Sequence, residues 1–274
     1  MLHAVAHLMW SERQINMVRA QKAISIDGPH ILICVCSLVF FILFSSRLHD
    51  DDAELSISHS VLAAYSFNQS SNSKAEALIA GGIALDTIAS HRNAVDAVVI
   101  AAFGDPGLLA ARELFDMPIV GMAEAAMLSA LLLGQRFSFV TFSRHLRPWY
   151  EQSVTQAGLQ NRFAGVRTPD NDFKSIGSVQ EELFNVLRDL VQQAVDTDGA
   201  DVVILAGAPL AGLAQRYTDS PVPLVDPISA AVTQAQALFR LAPRGAHGGS
   251  FTRPPPKPST GLPYALAARF NHTD

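Results

Sequence analysis

Proton-transfer chemistry in this chain would have to come from a few carboxylates and imidazoles set beside small-residue loops. Asp105 stands in Ala102-Phe103-Gly104-Asp105, directly after an apolar run that begins at Ala97. A carboxylate there can take and return a proton, and it can equally cap a helix; both readings stay open. His145 follows the run FSFVTFS, Phe137 to Ser143, and is a second acid–base candidate against the plain reading of a surface histidine. Glu124 and Asp226 lie past two further apolar runs, where a role at a helix N-terminus outweighs a catalytic one. Backbone N–H groups in such loops can hold a carboxylate or an imide oxygen, although Gly and Ala also simply permit tight turns. The candidate substrate-binding positions are therefore Ala102, Phe103, Gly104, Thr141, Ser143, Gly207, Ala208 and Pro209.

Other chemistries find little support. Cys34 and Cys36 are the only cysteines, which makes neither a disulfide framework nor a CxxC pair, and a reducing cytosol is the expected setting. Cys36 reads as a small buried hydrophobe or as a thiol facing a cleft. His3 and His7 are spaced i,i+4 with no third ligand in view, so no metal is expected. There is no GxGxxG, Walker loop or G-x-S-x-G, and no cofactor is expected. A net charge of −5, without zinc-finger spacing or an RNP-like box, argues against a nucleic-acid partner.

The elements that must position these loops repeat. DAVVIAAFGDPGLLAARELFDMPIVGMAEAA starts at Asp96 and DVVILAGAPLAGLAQRYTDSPVPLVDPISAA at Asp201, 105 positions apart and with no gap between the copies. Val98/Val203, Ala101/Ala206, Gly107/Gly212, Leu108/Leu213, Pro118/Pro223, Val120/Val225 and Ala126/Ala231 are identical pairs. Each copy reads strand, small-residue loop, helix, strand, and strands alternating with helices give a parallel α/β sheet. The same offset maps Phe137–Ser143 onto Leu32–Leu38. Pro148 suits the first turn of a helix ending near Gly158. Ser178-Val-Gln-Glu181 has the form of a capping box. Behind it Leu183, Phe184, Leu187, Leu190, Val191, Ala194 and Val195 make one helical stripe.

Residues 31–44 are an uncharged apolar stretch, shorter than the ~20 residues that span a bilayer. A buried strand continuing into an apolar helix is the preferred reading. A signal or membrane anchor, leading to export or membrane attachment, is the alternative. The expected division is an unassigned extension 1–30, a first lobe of 31–128 plus 224–242, a second lobe 129–223, and a Pro/Gly-rich tail 243–274, extended on the body or free in solvent.

AVVIAAFGDPGLLAARELFDMPIVGMAEAA, LGQRFSFVTFS, VVILAGAPLAGLA and VPLVDPISAAV together resemble the aspartate/glutamate/hydantoin racemase superfamily, nearest its hydantoin racemase branch. The resemblance covers roughly residues 94–241. It implies two pseudo-symmetric α/β (Rossmann-like) lobes with the site in the cleft between them. It also implies cofactor-free 1,1-proton transfer at the α-carbon of a small amino acid derivative, of hydantoin or amino-dicarboxylate type, and a homo-oligomer. In that family two opposed thiols carry the proton. Their positions fall here on Ala102 and Gly207, again 105 apart, and neither residue can hold a proton. The family's Asn-Pro-Asn-Thr-type loop is also missing, with Ser37, Leu38 and Val39 near its place. The alternative is a family member that binds a small carboxylate or cyclic imide without turning it over.

Overall fold

Parallel strands buried on both faces organise the chain. The computed structural model describes residues 31–34, 41–47, 56–62, 73–170, 173–241 and 248–273. In order, the elements of the first half are β1 (Ile31–Cys34), β2 (Phe41–Arg47), β3 (Ser56–Leu62), α1 (Lys74–His91), β4 (Ala97–Ile100), α2 (Leu108–Leu114), β5 (Ile119–Gly121) and α3 (Met122–Leu133). The second half has β6 (Phe137–Val140), α4 (Arg147–Gln156), β7 (Phe163–Arg167), α5 (Val179–Asp196), β8 (Val202–Leu205), β9 (Leu224–Val225), α6 (Pro227–Leu241) and α7 (Tyr264–Asn271). One sheet runs β3-β2-β1-β4-β5 and the other β7-β6-β8-β9. All four residues of β4, and all four of β8, are buried. That is why these strands read as unbroken apolar runs rather than as alternation.

The repeat is visible in three dimensions. β4 and β8, β5 and β9, and α3 and α6 each start 105 positions apart. Gly107 and Gly212 adopt the same left-handed turn, with φ of 79° and 81°. Gln234 on α6 donates to Ser129 Oγ, its own counterpart on α3, at 3.0 Å. The pseudo-twofold axis therefore passes between these two helices. Alternate residues of β4 serve two cores. Ala97 and Val99 face a core shared by both lobes, and Val98 and Ile100 face an outer layer with Ile88, Leu114 and Leu266.

Several expectations need correction. The apolar run does not continue into a helix. Phe41–Arg47 is a strand antiparallel to β1, with Ile33 opposite Ile42, as suits a segment rich in aromatic and β-branched residues. Residues 35–38 of the expected strand lie outside the described residues. The strand offset is 106 here rather than 105, because Ile31 sits opposite Ala97 while Phe137 sits opposite Val202. The strand expected over Phe137–Ser143 ends at Val140, so Thr141 and Ser143 are loop residues. β9 pairs with β8 in the second sheet, so Leu224 and Val225 belong to the second lobe. After Val225 the chain returns to the first lobe, where α6 packs on α3, β4 and β5.

The helix α4 has Pro148 in its first turn and ends before Gly158, as expected. Ser178 does not form a capping box. A 3-10 turn leads into α5 and leaves Ser178 at φ −109°, ψ 0° with no cap bond. Its hydroxyl instead meets the Glu182 carboxylate, and Glu181 pairs with Arg216 at 2.8 Å. The true capping box is Ser73–Glu76 at the start of α1.

The tail is not free in solvent. α7 docks on α1, and the buried Arg269 donates Nε to the Leu114 carbonyl at 2.9 Å. No helix among the described residues is long and apolar enough to cross a membrane. The extension 1–30 lies outside the described residues, as do His3, His7, Cys36 and Ser37–Val39.

Candidate active site

The loop after β4 is built on left-handed backbone. Gly104, Asp105 and Gly107 have φ of 105°, 51° and 79°. Asp tolerates this region better than most residues, at modest cost. The cost is offset by what the side chain then reaches. Asp105 Oδ1 accepts the Ala123 N–H and Oδ2 the Glu124 N–H, each at 2.8 Å. Asp105 thus caps α3, a helix whose own N-cap, Gly121, offers no side chain. Gly121 must lack one, because a Cβ there would lie 2.4 Å from the Asp105 carboxyl. Burial pushes the Asp105 carboxyl up to about 7. The two N–H donors oppose that rise, Glu124 adds to it, and Arg112 eases it.

The second lobe makes the same tether from the other side. Asp226, the counterpart of Gly121, accepts the Gly212 N–H at 2.6 Å and the Ser229 N–H at 2.8 Å. Leu210, the counterpart of Asp105, is apolar and buried. Glu124 is held by Arg112 in a two-pronged ion pair. Both acids past the second strands are therefore structural.

The remaining candidates converge only in part. Ala102, Phe103, Thr141, Ser143 and Ala208 are buried at the carboxyl ends of their strands. Gly207 adopts φ 128°, which favours glycine. Pro209 is buried and its carbonyl accepts from Gln180 at 2.9 Å. His145 is exposed, its backbone N–H 3.4 Å from Ser143 Oγ. Cys34 closes β1.

What joins the loops is Tyr150 on α4, which sequence reasoning did not single out. Its ring lies 4.6 Å from that of Phe103 in the first lobe and 6.2 Å from that of Phe139. Its hydroxyl is 3.4 Å from where a Cβ on Gly207 would sit. Trp149 covers the other loop, its indole 2.4 Å from a notional Cβ on Gly104. Phe142 fills the space beside Gly207, with Cε1 2.6 Å from a notional Cβ. Burial pushes the Tyr150 phenol up, and the nearby Thr141 hydroxyl eases the shift. Thr141 Oγ1 nevertheless makes no hydrogen bond of acceptable geometry among the described residues. Pro148-Trp149-Tyr150, the first turn of a helix following a strand end, was the available signal. Among the described residues no group of three or more His, Cys, Asp or Glu could hold a metal.

Residues 44–235 match the family described as Asp/Glu/Hydantoin racemase. The chain belongs to this family. It is 35% identical to a hydantoin racemase of Paenarthrobacter aurescens over 62% of this chain and 72% of that one. It is 33% identical to a hydantoin racemase of Pseudomonas sp. over 61% and 68% of the two chains. Among solved structures it is similar to an allantoin racemase from Klebsiella pneumoniae, with TM-score 0.65 and 32% identity over 70% of this chain and 79% of that one. The two-lobed α/β architecture and the hydantoin-racemase branch are those read from the sequence. Within this racemase family the chain carries a methyl group at Ala102 and a hydrogen at Gly207, the positions the resemblance assigns to thiols.

Proposed function

We propose that this racemase-family chain acts on a small amino acid derivative of the hydantoin type, exchanging its α-proton without a cofactor. The ligand would lie at the carboxyl ends of the strands, against Ala102–Gly104, Thr141, Ser143 and Gly207–Pro209. One observation carries the reading. Loops from both lobes, at the strand ends where α/β proteins bind ligands, meet around Tyr150. The similarity to hydantoin and allantoin racemases supports the substrate class.

Inversion needs one group to remove the proton and another to return it on the opposite face. Asp105 is the candidate on the first lobe. Its carboxyl is raised to about 7, which suits proton exchange near neutrality. A second reading is favoured by Ala102 and Gly207 themselves. With no ionisable group at either, and Phe142 filling the space beside Gly207, the cleft would bind a cyclic imide without turning it over.

Solvent deuterium incorporation at the α-carbon of a panel of hydantoins and amino acids separates the two. Exchange above background supports turnover, and Asp105→Asn should then abolish it. Exchange that survives Asp105→Asn removes Asp105 as the base. No exchange, together with thermal stabilisation by the same compounds, supports binding alone. We also infer a cytosolic homo-oligomer, supported by the cysteine usage and the family resemblance. Cell fractionation and light scattering would test each part.

A further inference from the structure

The second sheet ends in an open edge. β7 is its outermost strand, and among the described residues it pairs with β6 alone. The Arg167 carbonyl accepts the Thr141 N–H at 3.0 Å, so the backbone of Arg167 faces β6. Backbone groups of successive strand residues point to opposite edges. The N–H and C=O groups of Val166 and Thr168 therefore face away from the sheet. A register shift sets Phe137 opposite Phe163 and Ser138 opposite Gly165, which leaves Ala164 unmatched on β6 as well. A cavity of about 710 Å3 lies beside this row, between residues 164–170 and the α5 side chains Val186, Asp189 and Gln193. The edge is thus open to a second backbone, and an exposed row of this kind is a template for another strand.

The edge also complements itself. About a twofold axis through Val166, a second β7 runs antiparallel to the first, and each residue meets the one equally far on the other side of Val166. Val166 then meets the partner's Val166 as a hydrogen-bonded pair that exchanges both N–H and C=O bonds. Thr168 meets the partner's Ala164 in a pair of the same kind. Between them, the long side chain of Arg167 meets the partner's Gly165, which offers no side chain to obstruct it. Pro169 stands where the backbone turns back toward its own sheet, so its missing N–H takes nothing from the pairing. At each end Asp170 meets the partner's Arg162. Asp170 is exposed and has no ion-pair partner among the described residues. Arg162 donates to the carbonyls of Gln135 and Gly134, and neither acceptor neutralises its charge.

We propose that two copies of this chain associate by antiparallel pairing of their β7 edges, joining the second sheets of both into one continuous sheet. The outward backbone of Ala164, Val166 and Thr168 supplies the bonds, and Asp170 with the partner's Arg162 closes each end. This rests on the homo-oligomer reading given above and names the surface that carries it.

The test is light scattering of the full chain over a concentration series, with amide hydrogen exchange followed at Val166 and Thr168. Both amides should exchange more slowly as the dimer forms. Asp170→Arg changes an exposed side chain and sets like charges opposite each other at both ends, so the dimer Kd should rise about tenfold. Adding Arg162→Asp reverses both partners of each pair and should bring the Kd back toward that of the native chain. Thr168→Pro removes an N–H that faces the partner and should weaken the dimer by about tenfold or more. An oligomer unchanged in both Asp170→Arg and Thr168→Pro overturns this interface and leaves the homo-oligomer reading standing. Amides of Val166 and Thr168 that exchange alike in monomer and oligomer do the same. A chain that stays monomeric at every concentration overturns both readings.

Discussion

Replacing Asp105 by Asn isolates the electrostatic cost of the α3 cap. Asn tolerates the left-handed backbone at this position and keeps one acceptor, so one of the two N–H bonds from α3 survives. What disappears is the titration. The carboxyl moves from an ordinary 3.8 to about 7 on folding, mainly through burial. The folded state therefore holds its proton more tightly than the unfolded state. Stability from this group is fully present below about pH 4 and is lost as pH rises to about 7. Three units at 1.36 kcal/mol each give ~4 kcal/mol. Asp105 is only half-buried, and solvent screening reduces this to ~2 kcal/mol. Urea unfolding of wild type and Asp105→Asn at about pH 4.5 and pH 8 gives a double difference that cancels every other carboxylate. The wild-type advantage should shrink by ~2 kcal/mol between the two pH values. An advantage that is flat, or grows with pH, refutes burial as the dominant influence on this carboxyl.

Gly207→Ala should destabilise by ~3 kcal/mol, because it adds a Cβ 2.6 Å from the Phe142 ring at φ 128°; urea midpoints would show it. Gly207→Cys meets the same barrier, so a thiol there should lower the melting temperature at least as far as Gly207→Ala does. Arg269→Ala should cost ~2–4 kcal/mol by leaving the Leu114 carbonyl unpaired. It should also loosen α7, read as faster chymotryptic cleavage after Tyr264 or Phe270.

The sequence showed the parallel sheets because β4 and β8 are buried on both faces, and burial on both faces leaves its mark on every residue. The repeat was legible for the same reason, down to the paired turns at Gly107 and Gly212. Other features depend on tertiary partners. β2 looked helical because an apolar run has no period to read until its neighbour is known. Ser178 and Glu181 matched a capping motif, but the 3-10 turn before α5 gave both side chains other partners. Arg269 in α7 is drawn to a carbonyl 155 positions away, a contact that local pattern cannot show. In the site, the loops were found from small residues after strands. Tyr150 and Phe142 were not: the helix turn Pro148-Trp149-Tyr150 after a strand end pointed to the first, whereas an aromatic residue such as Phe142 beside a predicted core carries no sign that it faces a cleft.

The two carboxylate tethers limit how the halves of this chain can exchange sequence. Giving Gly121 the acid of its counterpart Asp226 drives a side chain into Asp105, whose carboxyl lies 2.4 Å from a notional Cβ. Giving Asp105 the leucine of its counterpart Leu210 strips α3 of the side chain that accepts the Ala123 and Glu124 N–H groups. Neither half can adopt the other's solution one residue at a time, because the intermediate has two acids in collision or none at all. Positions 105 and 121 therefore form an epistatic pair, and so do 210 and 226. A library that shuffles the halves residue by residue will lose its members at these pairs first, whereas one that moves each pair as a block will keep them.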